Sequence, residues 1–193
     1  MWHKLLGDAR FHLLQLKFDE DLASKARVGR CLECGGRLDI ANYPRKPRGA
    51  TTKLPDRCET KFSFCCASEG CRLRNTPPSV RFLGRRVYLG AVVVLASAMQ
   101  QGATPVRARR LREVLGVSLR TLARWSAWWK AAFVESAFWR AARAFLSPTV
   151  DEPGLPFSLL ERFGPDEEAR LVALLHFVRP LSTPSGYVAD RGL

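Results

Sequence analysis

Two short cysteine pairs constrain this chain more than any other feature of it. Cys31 and Cys34 enclose two residues and are followed by Gly35-Gly36, while Cys71 is preceded by the adjacent thiols Cys65 and Cys66. Two close thiol pairs on separate turns supply what a tetrahedral structural metal site needs, soft donors that converge. The first pair brackets a tight turn whose amides can point at sulfur and whose glycines relieve crowding. In the second pair Cys71 is one ligand and Cys66 or Cys65 the other, with strand parity favouring Cys66. Cys31, Cys34, Cys66 and Cys71 are therefore the expected ligands of a structural Zn2+. Four thiolates leave no open position for an activated water, so no metal-catalysed hydrolysis is expected. Too few apolar residues surround these cysteines to hold the stretch together, so metal binding and folding are expected to be coupled. Cys58 shares a strand face with Phe62 and Phe64 and reads as a small buried apolar residue. His3, His12 and His176 fall on apolar helices, where packing or exposure is expected before ligation.

The fold class expected is mainly α, with a small zinc ribbon of short β-strands followed by a helix-turn-helix domain. Residues 1–30 carry an amphipathic helix with Phe11, Leu14, Phe18 and Leu22 three or four apart. Residues 31–80 form the ribbon, with a basic, proline-broken turn from Asn42 to Gly49 and a strand from Arg57 to Phe64. Residues 81–146 hold the helix-turn-helix. An apolar helix over 85–101 ends at Gly102, Thr104 caps a second helix with Pro105 at its first position, and Ser118 caps a third that runs on to about Phe145. Residues 147–193 form an acidic linker and a last helix. That helix begins at Gly164-Pro165, with Asp166, Glu167 and Glu168 favouring its N-terminal dipole, and ends near Arg179-Pro180.

Charge is distributed unevenly over these segments. Residues 81–146 hold 12 basic and 2 acidic side chains, whereas residues 147–193 hold 4 and 7. Together with the first 80 residues this gives the formal net charge of +13, a field that attracts polyanions. Winding the third helix at ~100° per residue puts Leu122, Trp125, Ser126 and Trp129 on one side and Arg120, Arg124 and Ala127 on the other. That is the plan of a recognition helix, one face packed and the other offering forked donors to base edges. The expected DNA contacts are Ser118, Arg120, Thr121 and Arg124, with Arg107, Arg109 and Arg110 on the preceding helix facing phosphates. Trp128, Trp129, Phe133, Phe138 and Trp139 make the long third helix apolar on more than one side. Most of that surface is expected in the core, and the remainder offers a seam for self-association or for a transposase partner.

The order of these motifs resembles a known family. The CxxC and CxxxxC ribbon leads into Thr76-Pro77-Pro78-Ser79-Val80 and an apolar helix. Gly102-Ala103-Thr104 and Leu115-Gly116-Val117-Ser118 with Thr121 then follow. Over residues 31–130 the chain is similar to the N-terminal part of zinc-ribbon transposases of bacterial insertion sequences. The resemblance implies recognition of the element's terminal DNA. Those transposases continue into an RNase H-type domain whose acids converge on two divalent cations. The acids after position 146 here (Asp151, Glu152, Glu161, Asp166, Glu167, Glu168 and Asp190) do not resemble a strand-borne set. The expectation is a DNA-binding accessory protein or truncated transposase, not an enzyme. The first residues carry no long apolar run or cleavage site, and the apolar run Leu89–Met99 falls short of the roughly 20 residues of a membrane span. A cytoplasmic, nucleoid-associated bacterial protein with reduced thiols and no membrane contact is expected. A transcriptional regulator with the same parts, or a zinc-ribbon adapter that binds a protein, remains as an alternative.

Overall fold

The computed structural model describes residues 2–45, 54–83, 88–100 and 105–183. The described chain is mainly helical with a few short antiparallel strands. Among the described residues no helix is long and apolar enough to cross a membrane.

After α1 (Trp2–Gly7), Asp8 caps α2 (Ala9–Val28) by accepting the Arg10 N–H at 2.9 Å. The buried stripe of α2 is Phe11, Gln15, Asp19 and Ala23, flanked by His12 and Leu16. This corrects the expected stripe: Leu14 is 40% exposed, and Phe18 and Leu22 are half-buried. The helix is rolled because Asp19 finds three donors inside. Its carboxylate accepts Ser79 Oγ at 2.5 Å, Val80 N at 2.7 Å and Arg81 Nε at 2.8 Å. The pair is tolerable at this depth only because nearly every lone pair and proton is used. Arg81 also donates to the carbonyls of Cys58 at 2.8 Å and Thr60 at 2.7 Å, and Ser182 Oγ accepts the Ser79 amide. One buried charge pair thus ties α2, the ribbon and the C-terminal turn together.

The segment expected as a ribbon holds five short strands, β1 (Leu38–Ile40), β2 (Tyr43–Pro44), β3 (Thr60–Lys61), β4 (Phe64–Cys66) and β5 (Arg74–Asn75). One antiparallel sheet has the order β1-β4-β5, with Leu38 opposite Cys66 and Cys65 opposite Arg74; β2 and β3 form the other. The single strand expected from Arg57 to Phe64 is therefore two. Residues 56–59 form a turn, and the chain changes sheets at 62–63, where Ser63 donates its amide to the Asn42 side chain and its carbonyl accepts the Ala41 N–H. That exchange buries Lys61 and Ser63, which simple alternation placed outside.

The apolar helix is α3 (Gly90–Gln100), with every residue from Ala91 to Ser97 buried. Its expected start at 85 is not met: residues 88–89 are not helical, and 84–87 lie outside the described residues. The expected caps Gly102 and Thr104 also lie outside them. α4 (Pro105–Leu115) ends at Gly116, whose φ of +60° suits glycine, and Ser118 caps α5 (Leu119–Trp128). α3 packs along α5 and also meets α1, α4 and α8.

The expected unbroken helix to Phe145 does not form. After Trp128 the backbone widens into a π-helical turn (Trp129–Phe133), breaks, and restarts as α6 (Ala137–Ala142) and a 3-10 turn (Arg143–Phe145). Ser136 makes the break. Its hydroxyl donates to the Phe133 carbonyl at 2.6 Å and accepts the Trp139 N–H at 3.1 Å, closing one helix and capping the next. The restart turns Trp139 inward against Phe133, with ring centres 4.9 Å apart. The segment expected as a linker is also docked. Leu155 is fully buried, and Glu152 accepts from the Trp139 indole at 2.8 Å and from Arg143 at 3.1 Å. Behind it lie α7 (Phe157–Leu160) and α8 (Glu167–Val178), the latter capped by Asp166 and continued by a 3-10 turn over Arg179–Ser182. One buried cluster runs from Leu6 through α3 and α5 to Leu181.

Candidate functional site

The cysteines come together where α2 hands over to the ribbon. Arg30, with φ of +61°, turns the chain out of α2, and Cys31 follows. The Gly35 N–H returns to the Cys31 carbonyl at 2.8 Å, and the Cys31 N–H reaches the Gly36 carbonyl at 2.9 Å, closing the first thiol turn. Cys66 ends β4 opposite Leu38, and Cys71 closes a second turn by donating its N–H to the Ser68 carbonyl at 3.0 Å.

All four sulfurs of Cys31, Cys34, Cys66 and Cys71 lie within 4.8 Å of one another. Cys34 and Cys66 are 3.4 Å apart, and Cys31 and Cys71 3.7 Å. A metal–sulfur bond of ~2.3 Å in a tetrahedron gives sulfur–sulfur edges of about 3.8 Å, so the set fits one tetrahedral ion. Nothing else fits between them. A Cβ on Gly36 would stand 3.0 Å from Cys66 Sγ and 3.2 Å from Cys34 Sγ, and would press on Ser68 Oγ.

Backbone donors point at this sulfur cluster. The Ser68 N–H, opposed by burial and helped by hydrogen bonds from its own hydroxyl and the neighbouring thiols, brings Cys66 down to about 7. At Cys71 the Leu73 N–H favours the thiolate, but burial and the hydrogen bonds with the other three sulfurs push it up to about 12. Cys31 and Cys66 are buried, whereas Cys34 is exposed. The adjacent Cys65 points elsewhere, its Sγ facing the Arg72 carbonyl at 3.4 Å. Cys58 sits in the main core with its Sγ 3.8 Å from the His12 carbonyl. All six cysteines are free thiols. His12 is buried with Nε2 2.8 Å from the Leu6 carbonyl, and His176 lies beside Arg179; neither is near the sulfurs in its hydrogen bonding. The side chain of His3 lies outside the described residues.

Of the expected DNA-contacting residues, Ser118, Arg120, Thr121 and Arg124 lie at the cap and in the first two turns of α5, and Arg107, Arg109 and Arg110 lie on α4. Ser118 Oγ accepts the Thr121 N–H at 3.2 Å and shares a hydrogen bond with Thr121 Oγ1 at 3.1 Å, so both hydroxyls serve the cap. Leu122, Trp125 and Trp129 are fully buried, while Arg120, Arg124 and Ala127 are exposed. Arg109 and Arg112 are exposed on α4. The side chains of Arg107 and Arg110 lie outside the described residues. Among the described residues no carboxylate pairs with Arg109, Arg112, Arg120 or Arg124.

No family model, curated protein or solved structure matches the chain. Its chemistry therefore rests on its own residues. Three of those residues carry no motif in the sequence. Ser68, which aims its amide at Cys66, had no signal beyond its place inside the second thiol turn. The Asp19–Arg81 pair, which fixes α2 against the loop before β3, had none at all.

Proposed function

We propose that this chain is a zinc-stabilised DNA-binding protein related to the recognition region of insertion-sequence transposases, acting by recognition and not by chemistry of its own. The observation that carries the reading is the two-faced α5. Its inner face is clamped by Leu122, Trp125 and Trp128, and its outer face presents Arg120 and Arg124, without a carboxylate partner among the described residues, beside a capped N-terminus. A rigid helix with free guanidinium groups in its first two turns is suited to bidentate hydrogen bonds with guanine edges. The sulfur tetrahedron supports zinc as the ion, since a closed set of four thiolates suits a structural Zn2+. Among the described residues it is the one group of three or more metal-capable side chains that converge, and no carboxylates do so. Duplex DNA is the partner, and a transposase or a second copy is the protein contact this role implies.

Fluorescence anisotropy on the zinc-loaded chain tests this reading, using terminal sequences from an associated element alongside random duplex. Arg120→Ala and Arg124→Ala should each weaken specific binding by about 1–3 kcal/mol and leave random-sequence binding less affected. Equal losses on both duplexes would remove base reading. Zinc binding without DNA affinity at any salt concentration would replace the reading with the protein adapter.

A further inference from the structure

Apart from α5, the ribbon carries a second cationic surface, built around one aromatic ring. Tyr43 in β2 has Arg45 and Arg74 against it, each guanidinium carbon 5.3 Å from the ring centre. The two charges are thus held at most twice that distance apart. Each gains a cation–π contact, yet together they repel. Among the described residues neither has a carboxylate partner. Arg74 donates only to the Ala41 carbonyl at 3.5 Å. Across the three-stranded sheet Asp39 is occupied by Arg37 at 3.1 Å. Across the β2–β3 pair Glu59 flanks Arg45, its carbonyl accepting the Arg45 N–H, without an ion pair between the side chains among the described residues.

The register extends this pair into a band. Asp39, Cys65 and Arg74 stand opposite one another on three adjacent strands, on the face away from buried Leu38, Phe64 and Cys66. Arg37 then leads to a shallow concavity of about 240 Å³ that it lines with Arg27 and Arg30 at the end of α2. Five arginines therefore follow these strands from α2 to β5, with Asp39 paired to Arg37 and Glu59 beside Arg45 as the acids flanking them.

We infer that this band grips the phosphodiester backbone of duplex DNA, so that the ribbon supplies affinity while α5 supplies sequence. The inference rests on the DNA-binding reading and deepens it. Tyr43 fixes the guanidinium groups without neutralising them, which leaves their donors for phosphate oxygens. A phosphate contact of this kind carries no base information, and its signature is the salt dependence of binding.

The test is a salt series of anisotropy titrations on a mixed-sequence duplex with the full zinc-loaded chain. Arg45→Ala with Arg74→Ala should make the slope of log affinity against log salt shallower by about 1.8, and lower affinity roughly 60-fold at 0.1 M salt. Arg45→Lys with Arg74→Lys, which keeps the charges, should retain most of the slope. Arg27→Ala with Arg30→Ala probes the same band away from the Tyr43 stack, and it too should flatten the slope. Wild-type slopes in both alanine pairs would overturn the inference, as would a lysine pair as defective as the alanine pair. Should Arg120→Ala with Arg124→Ala lose specific binding while both ribbon pairs behave as wild type, the recognition reading survives and the ribbon grip does not. A wild-type chain without affinity even at 50 mM salt would end both.

Discussion

Cys65 and Cys66 are neighbours in sequence but serve opposite faces of β4. Cys66 points inward with Phe64 and meets Cys34 at 3.4 Å, whereas Cys65 turns toward the Arg72 carbonyl. Spacing alone admits either thiol. The two-residue period of a strand separates them, because residues of one parity share a face. That much is legible even though the strand expected from Arg57 to Phe64 is two, since Phe64 and Cys66 share β4 after the break. Gly36 was legible as a crowded position but not as one facing two ligand sulfurs. Replacing Cys66 with Ser removes a ligand, and zinc affinity should fall by more than about 100-fold, beyond the 10- to 100-fold typical of losing a supporting contact. Cys65→Ser should hold one zinc per chain with affinity close to wild type. Chelator competition on the two variants decides it, and comparable loss in both would break the assignment.

At the scale of the element, α2 shows why periodicity misplaced a face. Spacing marks Phe11, Leu14, Phe18 and Leu22 as the inner stripe, and of these only Phe11 is fully buried. The helix instead turns Gln15 and Asp19 inward. A buried carboxylate is excluded from any hydrophobic count, and its partner Arg81 lies 62 residues away. No local pattern could report that contact. The same limit applies to the third helix. Ser136 is an ordinary serine in sequence, and only its placement between Phe133 and Trp139 makes it a break. The cap at Ser118 was more readable, because a short polar side chain followed by a helical pattern is local, whereas Asp166, expected inside a first turn beginning at Gly164-Pro165, is itself the N-cap of α8. Asp19→Ala would leave Arg81 charged and 1% exposed with only carbonyls to bind. Breaking such a pair costs about 3–5 kcal/mol. Urea unfolding should show a lower midpoint which, multiplied by the m-value, gives a stability loss of that size. Asp19→Leu with Arg81→Met should lose less than the single variant, because no charge is stranded. A single-variant loss below about 1 kcal/mol would mean that the pair does not organise α2.

Across the whole molecule, two buried clusters of unequal size divide the work. The larger runs from Leu6 to Leu181 and contains Trp125, Trp129 and Trp139. The smaller holds Ala23, Cys31, Leu38, Phe64 and Cys66, of which two are proposed ligands. Too little apolar area remains in the smaller cluster to order the ribbon without its ion, since each fully buried side chain contributes only about 1.5–3 kcal/mol against backbone entropy of comparable size per residue. The boundary between the clusters does not follow the boundary of the ribbon. Leu54 and Cys58 belong to the larger cluster, and Arg81 holds the carbonyls of Cys58 and Thr60. Zinc removal by a chelator should therefore expose 31–45 and 64–75 to amide exchange while 54–61 stays protected. The near-ultraviolet dichroism of the tryptophan core should persist. α5 keeps its inner face in that state, so the Arg120 and Arg124 surface should still bind DNA. Arg37, Arg45 and Arg74 lose the sheets that align them, and the salt slope should flatten toward that of the Arg45→Ala, Arg74→Ala variant. Mass-resolved hydrogen exchange paired with anisotropy reads both effects on one sample. Loss of the tryptophan signal together with the ribbon would mean that the Asp19–Arg81 tie makes the two clusters a single cooperative unit.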